Sequence, residues 1–136
     1  MNLPELQLKS LILVVDDDQG ICKLVDMLMR RAGFDCVQAY NAEMAANTLK
    51  AKPRPDLVVL DLMLPDVSGI DLLKQIRSKE YFDDLPVVIL SALADAEKIR
   101  EGLEVGADRY VTKPYLANNL LPAVQDLLKN GRRKKA

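Results

Sequence analysis

The sequence predicts a single doubly wound α/β domain, a five-stranded parallel sheet with helices on both faces. Three observations carry this expectation. Residues 11–15 (LILVV), 56–61 (DLVVLD) and 85–90 (LPVVIL) are nearly continuous apolar runs of strand length, the pattern of strands buried on both sides. The segments between them place apolar residues at helical spacing. Strand and helix then alternate five times through short connections, which calls for parallel strands joined by crossover helices.

The elements follow in order. The first strand, 11–15, stops at Asp16. Ile21, Leu24, Val25, Leu28 and Met29 mark the first helix, and Gly33 supplies its stop because glycine tolerates a left-handed cap. Residues 34–39 are more polar, as befits a strand at the sheet edge. Asn41 can cap a second helix through Met44, Ala45, Thr48 and Leu49, which Pro53 and Pro55 end. After the strand at 56–61 and a loop at 64–69, Ile70, Leu72, Leu73 and Ile76 mark the third helix. The strand at 85–90 ends at Ser91. Ile99 and Leu103 mark a fourth helix, stopped by Gly106, and 110–112 form a short strand before Lys113-Pro114. A last helix runs to about Lys129. Pro122 is tolerated in a first turn, where its amide has no intrahelical partner, so the helix is expected to start near Asn118 or Asn119 with Asn119 as its cap.

Composition narrows the function classes. The chain has 136 residues, near the commonest size of one domain, and its 49% hydrophobic and 29% charged residues allow both a core and solubility. Its apolar runs fall far short of the roughly 20 residues that span a bilayer. The amino terminus, MNLPELQLKS, lacks the regions of a signal peptide, so a cytoplasmic protein with no membrane association is expected. A net charge of −1 gives no general reason to expect direct nucleic-acid binding. The charge is uneven, because Arg132, Arg133, Lys134 and Lys135 form a basic end that reads as a solvated terminus or the start of a linker. Cys22 and Cys36 are not paired in a C-x-x-C motif, and the chain has no His, which argues against a zinc site or a Cys/His nucleophile.

The chemistry lies at the carboxyl ends of the strands. These ends carry Asp16-Asp17-Asp18, then Asp61, then Ser91, then Lys113. In an open parallel sheet ligands bind along this edge, near the point where strand order reverses. Packed carboxylates repel and need a cation, and an oxygen-only set without His suits Mg²⁺. Mg²⁺, a lysine and a hydroxyl match the needs of phosphoryl transfer, which is mostly positioning and charge neutralisation. Asp61 is placed to be the nucleophile, since carboxylates form aspartyl phosphates. Each residue alone has a structural role open to it: Asp16 or Asp17 as a helix cap, Ser91 as a cap, Lys113 as a surface charge, Tyr110 as a core aromatic. The combination on successive strand ends favours chemistry.

Four motifs in this order, LILVVDDD, VVLDLMLPDVSG, VVILSA and GADRYVTKP, make the chain resemble the receiver domain of two-component response regulators, from about Leu11 to Lys129. The resemblance implies a flavodoxin-like (βα)5 fold and a switch driven by phosphorylation. It makes Asp61 the phospho-acceptor. Asp17, Asp61 and the Met63 carbonyl would ligate Mg²⁺, with Asp16 acting through a metal-bound water. Lys113 would pair with the phosphate, Ser91 would hydrogen-bond it, and Tyr110 would swing into the space that Ser91 leaves. The Lys113–Pro114 peptide would be cis. The face formed by the fourth helix, fifth strand and fifth helix would read out the change, and could also serve a homodimer. The donor would be a sensor histidine kinase or histidine phosphotransfer protein, and the receiver of the signal a downstream effector protein or domain.

Three positions depart from the usual pattern. Met63 and Leu93 put apolar side chains where the family flanks the hydrolytic water, so slow autodephosphorylation is expected. Leu116 replaces a polar cap, which with Pro122 implies a shifted start to the last helix. Ser91 stands where Thr is also common. A haloacid-dehalogenase-type hydrolase would need a second acid at the place of Met63 and a cap domain. A nucleotide- or flavin-binding domain would need a glycine-rich loop where Asp16-Asp17-Asp18-Gln19-Gly20 stands. A degenerate receiver would lack one of Asp16, Asp17, Asp61, Ser91 and Lys113. The expected organisation is an extension at 1–10, the receiver domain at 11–129 and a basic tail or linker at 130–136, either a stand-alone receiver or one cut from a longer protein.

Overall fold

The structure is a computed structural model that describes residues 9–113 and 116–132. Strands β1 (Leu11–Val15), β2 (Asp35–Ala39), β3 (Leu57–Leu60), β4 (Val87–Ser91) and β5 (Arg109–Thr112) form one parallel sheet in the order β2-β1-β3-β4-β5. Strand order reverses between β1 and β3, whose carboxyl ends lead directly into Asp16 and Asp61. Helices α1 (Gln19–Arg31), α2 (Ala42–Lys50), α3 (Gly69–Arg77), α4 (Ala96–Val105) and α5 (Leu121–Asn130) connect and follow the strands.

Side-chain alternation along the strands divides the core in two. Ile12 and Val14 pack with Cys22, Val25 and Met29 of α1 and with Val124 and Leu127 of α5. Leu13 and Val15 pack on the opposite face with Ala45 and Leu49 of α2 and Leu72, Leu73 and Ile76 of α3. Burial on both faces is why the central strands are apolar without interruption. β2 lies at the edge, as its polarity predicted.

The helix ends follow the sequence closely. Asp18 caps α1 through the amides of Gly20 and Ile21. The same helix ends in a Schellman motif, with Phe34 N bonded to Met29 O at 3.0 Å, Gly33 N bonded to Arg30 O at 3.0 Å, and Gly33 at φ 96°. Asn41 caps α2 at 2.8 Å from Met44 N, as expected.

The last helix differs from the sequence expectation. It does not open at an Asn119 cap. A single π turn, Leu116–Leu120, leads straight into α5, and Leu120 at the cap position is helical with no side-chain cap bond. Pro122 does fall in the first turn. In an uninterrupted α-helix its ring would crowd the carbonyl four residues earlier, and here a wider π turn precedes it. The expected cis Lys113–Pro114 peptide lies outside the described residues. Among those described, the cis bond is Lys52–Pro53. Among them also, no helix is long and apolar enough to cross a membrane.

Candidate functional site

Three consecutive aspartates leave β1 in different environments. Asp18 is used up as the α1 cap. Asp16 is 1% exposed, and its Oδ1 accepts from the Asp18 amide at 2.9 Å. Asp17 is exposed at the rim. Beside them, Asp61 is 6% exposed at the end of β3. Its amide continues the sheet by donating to Val15 O at 2.9 Å, and its Oδ1 accepts from Met63 N at 3.3 Å. Gly69 makes this turn possible: a Cβ there would stand 2.2 Å from Asp61 O and 2.6 Å from Leu62 Cα.

Lys113 reaches the carboxylates from the end of β5. Its Nζ lies 2.8 Å from Asp16 Oδ2 and 3.2 Å from Asp61 Oδ2, with one fifth of the side chain exposed. Burial alone would lower the lysine's pKa, but the bond to Asp16 and the charge of Asp61 outweigh it and hold the ammonium above its usual range. Burial pushes the Asp16 carboxyl up, with Asp61 adding to the shift, against the downward pull of Lys113 and the Asp18 amide. Among the described residues, the buried Asp16 Oδ2 has the Lys113 ammonium as its ion-pair partner and no further donor.

One carboxylate oxygen from each of Asp16, Asp17 and Asp61 lies within 4.8 Å of the others. Three acids against one lysine, with an under-satisfied buried oxygen and no imidazole or thiolate ligand in the group, fit a hard divalent cation. The set could therefore hold a metal ion. Cys22 stands close by, its Sγ donating to Asp16 O at 3.2 Å, but burial pushes its thiol up to about 12, so it is no nucleophile at neutral pH.

The structure also places the expected switch residues. Ser91 is fully buried at the end of β4, and its Oγ accepts from Leu93 N at 3.2 Å. Tyr110 on β5 is partly buried, and its hydroxyl donates to Leu93 O. Burial raises the phenol's pKa, and the neighbouring Ser91 hydroxyl opposes that shift. Both residues thus meet on the first turn after β4. Met63 presents its side chain to solvent at 60% exposure. Asp66 was not singled out from the sequence; it caps α2 from the loop between β3 and α3, a pairing across 24 positions that no local pattern announces.

A switch-point edge carrying a buried carboxylate, two further acids and a lysine defines a class of open α/β domain built for anion and metal chemistry. Residues 12–125 match the response regulator receiver domain, and the chain belongs to that family. It is 36% identical over 118 residues to the phosphate regulon transcriptional regulatory protein PhoB of Pseudomonas aeruginosa, and 38% identical over 118 residues to the DNA-binding dual master transcriptional regulator RpaA of Synechocystis. Each match covers 87% of this chain, but 51% of PhoB and 48% of RpaA, so the chain spans about half the length of these relatives. Among solved structures, the receiver domain of the Francisella response regulator 1452 superposes with TM-score 0.80 at 36% identity, covering 88% of this chain and 97% of that one. A putative response regulator from Chloroflexus aurantiacus superposes with TM-score 0.84 at 30% identity, covering 90% and 99%. The chain is a receiver domain of two-component signalling.

Proposed function

We propose that Asp61 is the phospho-acceptor of this receiver and that its phosphorylation requires Mg²⁺. The convergence of Asp61 with Asp16, Asp17 and Lys113 across the β1–β3 switch point is the observation that carries this reading. Asp16, Asp17, Asp61 and the Met63 carbonyl would hold the cation, with Asp16 acting through a bound water. When bound, Mg²⁺ neutralises charge on the oxygens of the phosphoryl group in transit. An Asp61 carboxylate oxygen attacks the phosphorus of the donor's phosphohistidine, the P–N bond to the imidazole breaks (the P–O bond to acetate when acetyl phosphate is the donor), and the leaving group departs with its electron pair. Lys113, already beside Asp61, pairs with the added phosphate oxygens.

The phosphoryl group adds charge and strong acceptors where Ser91 and Lys113 can answer them. Ser91 then exchanges its Leu93 contact for a phosphate oxygen, and Tyr110 follows into the space left. That movement carries the signal to the face of α4, β5 and α5. The donor is a sensor histidine kinase or histidine phosphotransfer protein, the target an effector protein or domain, and the compartment the cytoplasm. The domain spans 11–129, with 130–136 a basic tail or linker. PhoB and RpaA are by name a transcriptional regulator and a DNA-binding one, so a DNA-binding effector domain is one form the target can take; the receiver itself is not the nucleic-acid surface.

Intact mass after incubation with Mg²⁺ and acetyl phosphate tests the reading. One added phosphoryl group is expected, and it disappears in Asp61→Asn and in EDTA. An adduct that survives either control sinks the assignment.

A further inference from the structure

The loop between β3 and α3 carries a backbone atom that the proposed cation site needs, yet little packing holds it. Met63 and residues 65–68 are exposed, and Leu64 is only partly buried against the core. The Met63 amide is tied to the site by a single 3.3 Å bond to Asp61. The far end is fixed: Gly69 N donates to Leu62 O at 2.8 Å, and Ser68 Oγ caps α3 at 3.1 Å from Asp71 N. Between these anchors Leu64 packs partly against the core, and, among the described residues, one side chain hydrogen-bonds the loop to another element. Asp66 accepts from Ala42 N at 2.9 Å through Oδ1 and from Glu43 N at 3.0 Å through Oδ2.

Those partners matter because they are the free amides of a helix start. Asn41 takes Met44 N, and Asp66 takes the two amides before it, so the first three N–H groups of α2 are satisfied from two sources. The Asp66 contact is two-pronged and charge-assisted, with the helix dipole in its favour. A plain cap would need none of this loop, since Asn41 already marks the helix start.

We propose that Asp66 is a positioning residue for the metal site: by pinning the loop to the N-terminus of α2, it presets the Met63 carbonyl for Mg²⁺. The inference rests on the reading of the Asp61 site given above. It assigns α2 a part in metal binding that none of its own side chains plays.

The test is the Mg²⁺ dissociation constant, read from amide shifts in ¹⁵N-edited NMR of the whole chain, without phosphodonor. Asp66→Ala is expected to weaken Mg²⁺ about tenfold, the lower end for loss of an outer-shell partner. Asp66→Asn keeps one acceptor oxygen and serves if the alanine variant does not fold; its loss is expected to be smaller but measurable. Asn41→Ala removes the other cap of the same helix without touching the loop, and is expected to stay within about twofold of wild type. Equal effects of Asp66→Ala and Asn41→Ala, or no effect of either, would overturn the proposal by leaving Asp66 a cap and nothing more. Failure of the underlying reading looks different: wild type would show no saturable shifts near Asp16, Asp17 and Asp61, or Asp61→Asn would bind as tightly as wild type.

Discussion

The three aspartates at residues 16–18 share a side chain and nothing else. Asp18 spends its carboxylate on the α1 amides, which leaves Asp16 buried against Lys113 and Asp17 open to solvent. The sequence shows three acids and cannot say which one caps, because the choice depends on where the helix begins relative to the strand end. Met63 and Leu93 pose the converse case, since their positions were legible and their consequence is chemical. Met63 is exposed two residues after Asp61, and Leu93 is partly buried two residues after Ser91, with its backbone occupied by Ser91 and Tyr110. Neither side chain can orient a water for attack on an aspartyl phosphate. Met63→Asn with Leu93→Gln is expected to speed decay of the phosphorylated form by about tenfold, below the ~10²–10⁴ of a dedicated general base. A decay rate by intact mass that does not change in the double variant removes these residues from the account.

At the scale of the element, α4 is held to the sheet differently from its neighbours. Its one buried residue is Gly102, whereas α1 buries Cys22, Val25 and Met29. A Cβ at Gly102 would stand 2.6 Å from Ile89 Cδ1 and 3.5 Å from the Tyr110 ring, so the helix backbone lies almost directly on β4 and β5. Alanine favours a helix over glycine by about 1 kcal/mol, while crowding a packed core costs ~1–3 kcal/mol. Because Ile89 is fully buried, crowding wins. Gly102→Ala is expected to destabilise by about 1 kcal/mol in urea unfolding. Ile89→Val removes the offending methyl and should recover most of that loss in the double variant, although alone it costs ~0.5–1.5 kcal/mol. Simple additivity would mean that the contact is not what positions α4. The sequence showed this helix through Ile99 and Leu103, and its stop through Gly106, since periodicity and glycine are local signals. It could not show the close approach at Gly102, which depends on residues brought in from two strands. The start of the last helix was obscured for a related reason: Pro122 marked a first turn correctly, but local rules offered Asn119 as a cap where the chain instead enters through a π turn.

Across the whole molecule, the edge opposite Asp61 is closed by a buried charge cluster. Asp108 has a fully buried side chain, and its Oδ2 accepts from Val87 N at 2.9 Å, which ties the start of β5 to the start of β4. Arg77 at the end of α3 approaches the same carboxylate at 3.4 Å, and Arg132 beyond α5 approaches it at 3.0 Å. Both guanidiniums also donate to Gly106 O. Burial, and then the second cation beside it, lowers the Arg77 pKa to about 10. One carboxylate thus joins two strands, a helix end and the segment after α5, and it lies at the amino ends of β4 and β5 while Asp61 lies at the carboxyl end of β3. Removing the acid would strand two cations beside an uncapped amide, so Asp108→Ala is expected to cost ~3–5 kcal/mol, the range for breaking a buried pair. Arg132→Ala removes a partly exposed partner and leaves Arg77 in place, so its cost should be nearer ~1–2 kcal/mol. Denaturant titration measures both. In buffer without denaturant, Arg132→Ala should still take up phosphate at Asp61 at the wild-type rate, because the sheet separates the two edges. A slowed reaction in a fully folded Arg132→Ala protein would show that the two ends of the sheet are coupled.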